Sequence, residues 1–150
     1  MKAVIQRVSE ARITVNGVTS GKIDRGLLVY LGVALDDTED DVLKLARKTA
    51  FLRIFEDPEG KMNLSVLDVK GSVLAVSQFT LLADARKGRR PSYSLAAPPG
   101  QARELYASFI KRIKELGLPC EEGVFQAHML VSYTNDGPVT ILLDSKELAS

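Results

Sequence analysis

The side chains that usually carry catalysis are scarce in this chain. His128 is the only histidine, and it lies among alternating apolar residues on what the pattern predicts to be a strand. A structural or solvent-facing imidazole is the simpler reading there, with a catalytic or ligand role as the alternative. The single cysteine, Cys120, sits beside Pro119 and is followed by Glu121 and Glu122. Nearby carboxylates oppose thiolate formation, so an inert thiol is expected. Neither residue has Cys or His partners at zinc-ligand spacing. No glycine-rich segment matches a dinucleotide or phosphate loop. Asp36, Asp37, Glu39 and Asp41 crowd together, but at a predicted helix start, where solvation and the helix dipole explain acids without a metal.

Three segments are less ordinary. Ser77-Gln78-Phe79-Thr80-Leu81 places hydroxyls and an amide inside an apolar run. It is either the wetter face of a sheet or the wall of a pocket whose polar groups orient a ligand. Neither hydroxyl has a histidine base near it in sequence, so neither announces itself as a nucleophile. Asn135-Asp136-Gly137-Pro138-Val139-Thr140 reads as a turn between two strands. An X-Pro bond is cis in only about 5–6% of cases. Were this one cis, the carbonyls of Gly137 and Pro138 would become rigid acceptors that need no side chain. Arg86-Lys87-Gly88-Arg89-Arg90-Pro91 is the best local footprint for a polyanion, with Tyr93 close by for stacking. Its other reading is a solvated flank.

The elements that must position these groups can be outlined from periodicity. Ala3 to Val8 and Arg12 to Val15 are short β-like runs, and Asn16-Gly17 signals a hairpin. Gly26 to Val33 is almost wholly apolar, as in a strand covered on both faces. Thr38 and Asp41 cap a helix whose inner face is Val42, Leu45, Ala46, Thr49 and Ala50, with Lys44, Arg47 and Lys48 on the other side. Asp57-Pro58-Glu59-Gly60 is a turn, and Met62, Leu64 and Val66 alternate as in a half-buried strand. Ser72 to Leu82 predicts one longer strand. The stretch from Ala83 to Pro99 is a loop of unusual length. A second helix is expected from Gln101 to Leu116, its apolar face running from Leu105 to Leu116, with Gly117 and Pro119 ending it. Phe125, Ala127, Met129, Val131 and Tyr133 would share one side of a strand, and Pro138 to Leu143 would form another.

The chain has 150 residues, 45% of them apolar and 26% charged, which suits one α/β (α+β) domain spanning 1–150. The predicted architecture is a curved sheet or partial barrel with two long helices outside it. Regular β–α–β alternation is not evident, so a doubly wound sheet is not expected. With 20 basic against 19 acidic residues, no global field attracts nucleic acid or membrane, and any such contact must be local. No apolar stretch is long enough to span a bilayer, and charges interrupt the N-terminal segment. The expectation is a cytoplasmic protein that needs neither metal nor cofactor.

Several of these segments together resemble the D-aminoacyl-tRNA deacylase family. They are MKAVIQRVS at 1–9, RIFEDPEGKMNL at 53–64, SQFTL at 77–81, RKGRRPSYS at 86–94 and the closing NDGPVT. They occur in one order over nearly the whole chain. The resemblance implies hydrolysis of the ester joining a D-amino acid to tRNA, with glycyl-tRNA as a further substrate. It also implies a homodimer with its sites at the interface. Ser77 and Gln78 would shape the terminal-nucleotide pocket, and Phe125 and Met129 would pack against adenine and ribose. The backbone at Phe79 and Thr80 would stabilise the oxyanion, Thr80 positioning the reacting group without a covalent intermediate. Gly137 and Pro138, joined by a cis peptide, would enter from the other subunit and exclude an L-side chain. Arg86, Lys87, Arg89 and Arg90 would meet acceptor-stem phosphates. Neither DNA nor membrane is implied as a partner. The segment Phe125-Gln126-Ala127-His128-Met129 departs from the family, which often reads Phe-Gly-Ala-Asp-Met there. The competing readings are a noncatalytic tRNA-binding protein and a homo-oligomeric scaffold.

Overall fold

The computed structural model describes every residue from Met1 to Ser150. Its long first strand, β1 (Lys2–Val15), unites the two short runs expected there. Asn16 and Gly17 both take positive φ, +49° and +77°, as a two-residue hairpin turn requires, and the chain returns as β2 (Val18–Ile23). Strand β3 (Gly26–Gly32) pairs with the other half of the same edge of β1. Its apolar continuity follows from burial on both faces. Leu27, Val29 and Leu31 join the core beneath the helices, while Leu28 joins a second cluster with Val8, Ile13, Leu74 and Val76.

Helix α1 (Glu39–Phe51) follows, and all five residues of its expected inner face are buried. Asp41 accepts from the Thr38 amide at 2.8 Å. Asp37 and Asp41 do more than complement the helix dipole, since both are buried. Asp37 accepts from the Met1 ammonium, and Asp41 accepts from the Ser145 hydroxyl at 2.7 Å and the Lys146 ammonium at 3.1 Å. A small ribbon, β4 (Phe55–Glu56) and β5 (Met62–Leu64), flanks the expected turn at Asp57–Gly60. Val66 is buried but lies beyond β5. Strand β6 (Ser72–Ser77) runs parallel to β3, and helix α2 (Pro99–Glu115) leads to β7 (Cys120–Glu122), parallel to β6. Two parallel crossovers are therefore present, but the β4–β5 ribbon interrupts the first and the stretch from Phe79 to Pro98 the second, so the sequence shows no regular β–α–β alternation.

The final strand, β8 (Leu130–Asp144), takes the free edge of β1 along nearly its whole length. The sheet order is β2-β1-β3-β6-β7 with β8 on the far side of β1, and the sheet curls until β2 approaches β7. The result is the curved, nearly closed sheet with two outer helices that the sequence suggests.

Two of the predicted elements are redrawn where β3 and β1 set their limits. The strand expected through Leu82 ends at Ser77, and Phe79–Leu82 forms a turn of 3₁₀ helix. It does so where its neighbour β3 runs out at Gly32. A Cβ on Gly32 would stand 2.6 Å from Leu82 and 3.1 Å from the Gln78 carbonyl, so the bare glycine is what lets the turn seat there. The turn expected at Asn135–Gly137 is a bulge within β8. Gln6 pairs with Thr140 and Val8 with Asn135, which leaves Asp136 to Val139 opposite Arg7 alone. Pro138 has no amide to give the ladder, so extrusion costs no bond there.

Candidate active site

The 3₁₀ turn after β6 builds one wall of a cavity of about 810 Å³. The Gln78 amide donates to the Leu31 carbonyl at 2.8 Å, the last rung before the chain leaves the sheet. The Gln78 side-chain amide then donates to Thr80 Oγ1 at 2.8 Å. With that lone pair engaged, the Thr80 hydroxyl proton is free to be donated outward. Leu81 donates to the Gln78 carbonyl and Ala83 to that of Thr80, so the amides of Phe79 and Thr80 lie ahead of the turn's own ladder. Phe79 is 55% exposed and meets the Tyr93 ring edge-on, 5.1 Å between centroids.

The opposite wall is the segment before β8. Phe125, Ala127 and Met129 do not share a strand face as the alternation suggests. The chain turns here, Ala127 donating to the Val124 carbonyl at 3.1 Å with Gln126 at φ +64°. Phe125 is held between Tyr106, 6.1 Å away, and the Arg103 guanidinium, 4.6 Å from its centroid. Ala97, just before α2, and Pro99 and Ala102 in its first turn line the cavity as well.

Ser77, Gln78, Phe79, Thr80, Phe125 and Met129 thus come together from two segments some fifty positions apart. His128 also lines this cavity. It is exposed and off the strand predicted for it, and no hydrogen bond joins it to Ser77 or Thr80. Tyr93, singled out only for stacking near the basic loop, belongs to the cavity too. Cys120 is buried away from it, and burial first, with Glu122 and Glu121 adding, pushes its thiol up to about 12. No group of His, Cys, Asp and Glu is arranged to hold a metal ion.

Gly137 and Pro138 do not line the cavity of their own chain. Their peptide bond is cis, and both residues are exposed at the tip of the β8 bulge. Gly137 has φ +129°, and a Cβ there would stand 2.8 Å from Val139 and 3.0 Å from Arg7 Nη2. The bulge is held from beneath by Arg7, only 5% exposed. Its Nε donates to the Asp136 carbonyl at 3.0 Å and its Nη1 to the Ile54 carbonyl at 2.8 Å. Asn135 reinforces the base of the bulge, donating to Gln6 at 3.0 Å and accepting from the Val139 amide at 3.2 Å. Arg7 escaped sequence reasoning, although its parity placed a charge among inward-facing neighbours of β1.

The basic loop stands apart from the cavity lining. Arg86 is already paired with Asp84 at 2.7 Å, which holds that carboxyl down to about 2 through hydrogen bonds to the Arg86 side chain and amide. Lys87, Arg89 and Arg90 are exposed and make no ion pair, so they carry the loop's available charge.

The model of the D-Tyr-tRNA(Tyr) deacylase family matches residues 4–144. The chain is 62% identical over 147 residues to the D-aminoacyl-tRNA deacylase of Koribacter versatilis, covering 98% of this chain and 99% of that protein. It is 59% identical over 150 residues to the enzyme of the same description from Geobacter sulfurreducens, covering 100% and 99%. A solved structure described as c-Myc DNA Unwinding Element Binding Protein superposes with a TM-score of 0.91 at 44% identity, covering 96% of this chain and 98% of that one. A probable eukaryotic D-amino acid tRNA deacylase shares the fold at a TM-score of 0.75 and 19% identity, over 95% and 97%. The match spans both walls of the cavity and the bulge of β8, and the chain belongs to the D-Tyr-tRNA(Tyr) deacylase family.

Proposed function

We propose that this protein hydrolyses the ester of D-aminoacyl-tRNA, releasing the D-amino acid and free tRNA, and accepts glycyl-tRNA while rejecting L-aminoacyl-tRNA. The observation that carries this reading is the convergence of the family's SQFTL segment and its 125–129 segment on one cavity. Adenine and ribose of the terminal nucleotide pack between Phe125 and Met129, with Ser77 and Gln78 as polar contacts. Water attacks the ester carbonyl, and the amides of Phe79 and Thr80 stabilise the oxyanion. Collapse of that intermediate breaks the C–O bond to the ribose, whose oxygen takes a proton. The neighbouring ribose hydroxyl assists the transfer, in keeping with a cavity where no side-chain nucleophile is bonded to a base. Thr80 orients the reacting group and forms no covalent bond.

Chiral selection is assigned to the Gly137–Pro138 carbonyls of a second copy, which meet the α-carbon and leave no room for an L-side chain. Three features support a homodimer. The bulge is exposed and outside its own cavity. Leu130, Tyr133 and Leu142 of β8 are exposed, Leu142 by 74%. The chain exposes 8587 Å² against roughly 7,500 Å² for a monomer of its mass, an excess of the order that one side of a standard interface buries. Lys87, Arg89 and Arg90, with Arg86, contact acceptor-stem phosphates.

The test is hydrolysis of three purified substrates, one D-aminoacyl-tRNA, its L-counterpart and glycyl-tRNA. Release from the first and third with little from the second is expected. Binding without release would make the protein a noncatalytic tRNA binder, and no salt-sensitive binding would leave a scaffold.

A further inference from the structure

One charged patch is left unused by the site described above. On α1, Lys44, Arg47, Lys48 and Phe51 fall at i, i+3, i+4 and i+7, which aligns them as one stripe. They line a concavity of about 630 Å³ together with Arg53 and the C-terminal residues Leu148 to Ser150, and no Asp or Glu side chain lines it. Lys44, Arg47 and Lys48 make no ion pair and no side-chain hydrogen bond, whereas Arg53 donates from Nε to the Asn63 carbonyl at 3.0 Å and feels the charge of Asp68. Phe51 is 51% exposed, with the Arg47 guanidinium 6.0 Å from its ring centroid. A nearly neutral protein thus gathers three unpaired cations, a fourth that is already hydrogen-bonded, and an aromatic ring on one surface. Dipole complementarity accounts for Lys48 in the last turn, but not for Lys44 in mid-helix.

The stripe also has a fixed relation to the β8 bulge. Just past α1, the Ile54 carbonyl accepts from Arg7, the same side chain that holds the Asp136 carbonyl. The end of α1 and the Gly137–Pro138 tip are therefore two ends of one buried bracket.

We infer that the Lys44–Arg47–Lys48 stripe, extended by Arg53, is a second binding surface for the RNA phosphate backbone, engaging the body of a tRNA whose 3′ end is in the site. This rests on the tRNA reading above. The three helical cations lie within four residues along the helix axis, about 6 Å, enough to face roughly three phosphates along one strand. Three contacts at about 0.9 counterion each give a log–log salt slope of roughly 2.7, or about a 40-fold loss of affinity between 50 and 200 mM salt.

The experiment titrates the full chain and its Lys44→Gln/Arg47→Gln/Lys48→Gln variant with deacylated tRNA and with a short oligonucleotide carrying only the tRNA 3′ end. A Lys44→Arg/Lys48→Arg variant is the charge-conserving control, and circular dichroism checks that each variant is folded. The Gln variant should bind tRNA at least tenfold more weakly at 100 mM salt, with its slope reduced by roughly 2 to 3. The short oligonucleotide should bind both proteins alike, and the Arg variant should match the parent. Equal tRNA affinity and slope in parent and Gln variant would overturn the inference, as would equal loss on the short oligonucleotide. So would unchanged tRNA binding combined with loss of binding to phosphatidylserine vesicles, which would assign the stripe to membranes. Because binding is read on deacylated tRNA, absence of hydrolysis in the parent would fell the deacylase reading and leave this one standing.

Discussion

Replacing Arg7 with methionine should weaken both the fold and the selection of handedness. Methionine keeps most of the buried stem and removes the guanidinium. The guanidinium makes two hydrogen bonds to backbone carbonyls, 2.8 Å to Ile54 and 3.0 Å to Asp136. A bond from a charged donor contributes about 1.5–3 kcal/mol, and a buried acceptor left alone costs about 1–3 kcal/mol. The Ile54 carbonyl lies within the protein, whereas the Asp136 side can turn to water. The Asp136 carboxylate, 3.6 Å from Nε and half exposed, adds little after solvent screening. A net loss of about 3 kcal/mol follows, which for a chain of this size lowers Tm by about 6–12 °C at fixed protein concentration. The bulge would also lose its support, and a misplacement of about 1 Å at a reacting centre can cost about 100-fold in rate. The assay pairs thermal unfolding with hydrolysis of D- and L-aminoacyl-tRNA. A lower Tm and a reduced D-to-L rate ratio are expected, with Arg7→Lys intermediate because one ammonium cannot serve both carbonyls. A Tm within 2 °C of the parent and an unchanged ratio would refute the bracket as the device that sets the bulge.

Thr80→Ala should lower kcat by roughly tenfold or more and leave tRNA affinity nearly unchanged, since the hydroxyl is assigned to the reacting group; unchanged kcat removes Thr80 from the mechanism. For Asp41, burial raises the pKa, but the Ser145 hydroxyl, the Thr38 amide and the Lys146 ammonium outweigh it and hold the carboxyl well below the usual range. The depressed folded value means that its stabilisation is complete above the unfolded pKa of about 3.9 and is lost as pH falls toward and through the folded value. Asp41→Asn should therefore lower Tm at neutral pH and flatten its decline below about pH 4, and parallel acid limbs would contradict this. Cys120, buried and with its thiol raised, should react with a thiol reagent at pH 8 only as fast as the protein opens, and Cys120→Ala should retain activity. Rapid labelling of the folded protein would count against that account.

Short-range pattern carried much of this molecule. The inner faces of both helices, the Asn16-Gly17 hairpin and the two-sided burial of Gly26–Gly32 all follow from residues within one or two turns of each other. A helix or strand buries whatever its own period turns inward, so the signal is local. The motif residues Ser77 to Thr80 and Phe125 to Met129 could be named from sequence, through their likeness to a family, but periodicity placed both on strands. The first becomes a 3₁₀ turn because its neighbouring strand stops at Gly32, 45 positions earlier. The second becomes a turn that faces it across a cavity.

Asn135 to Pro138 illustrates the limit most clearly. Its composition is that of a hairpin turn, yet the strand on either side pairs with one partner, β1, and cannot reverse. The surplus residues are pushed out as a bulge, and a buried arginine 129 positions away holds the Asp136 carbonyl at its base. Sequence set which segments are apolar, where helices begin and which residues could do the chemistry. Tertiary structure decided which of them face one another, because strand pairing and cavity formation depend on neighbours that no local period records.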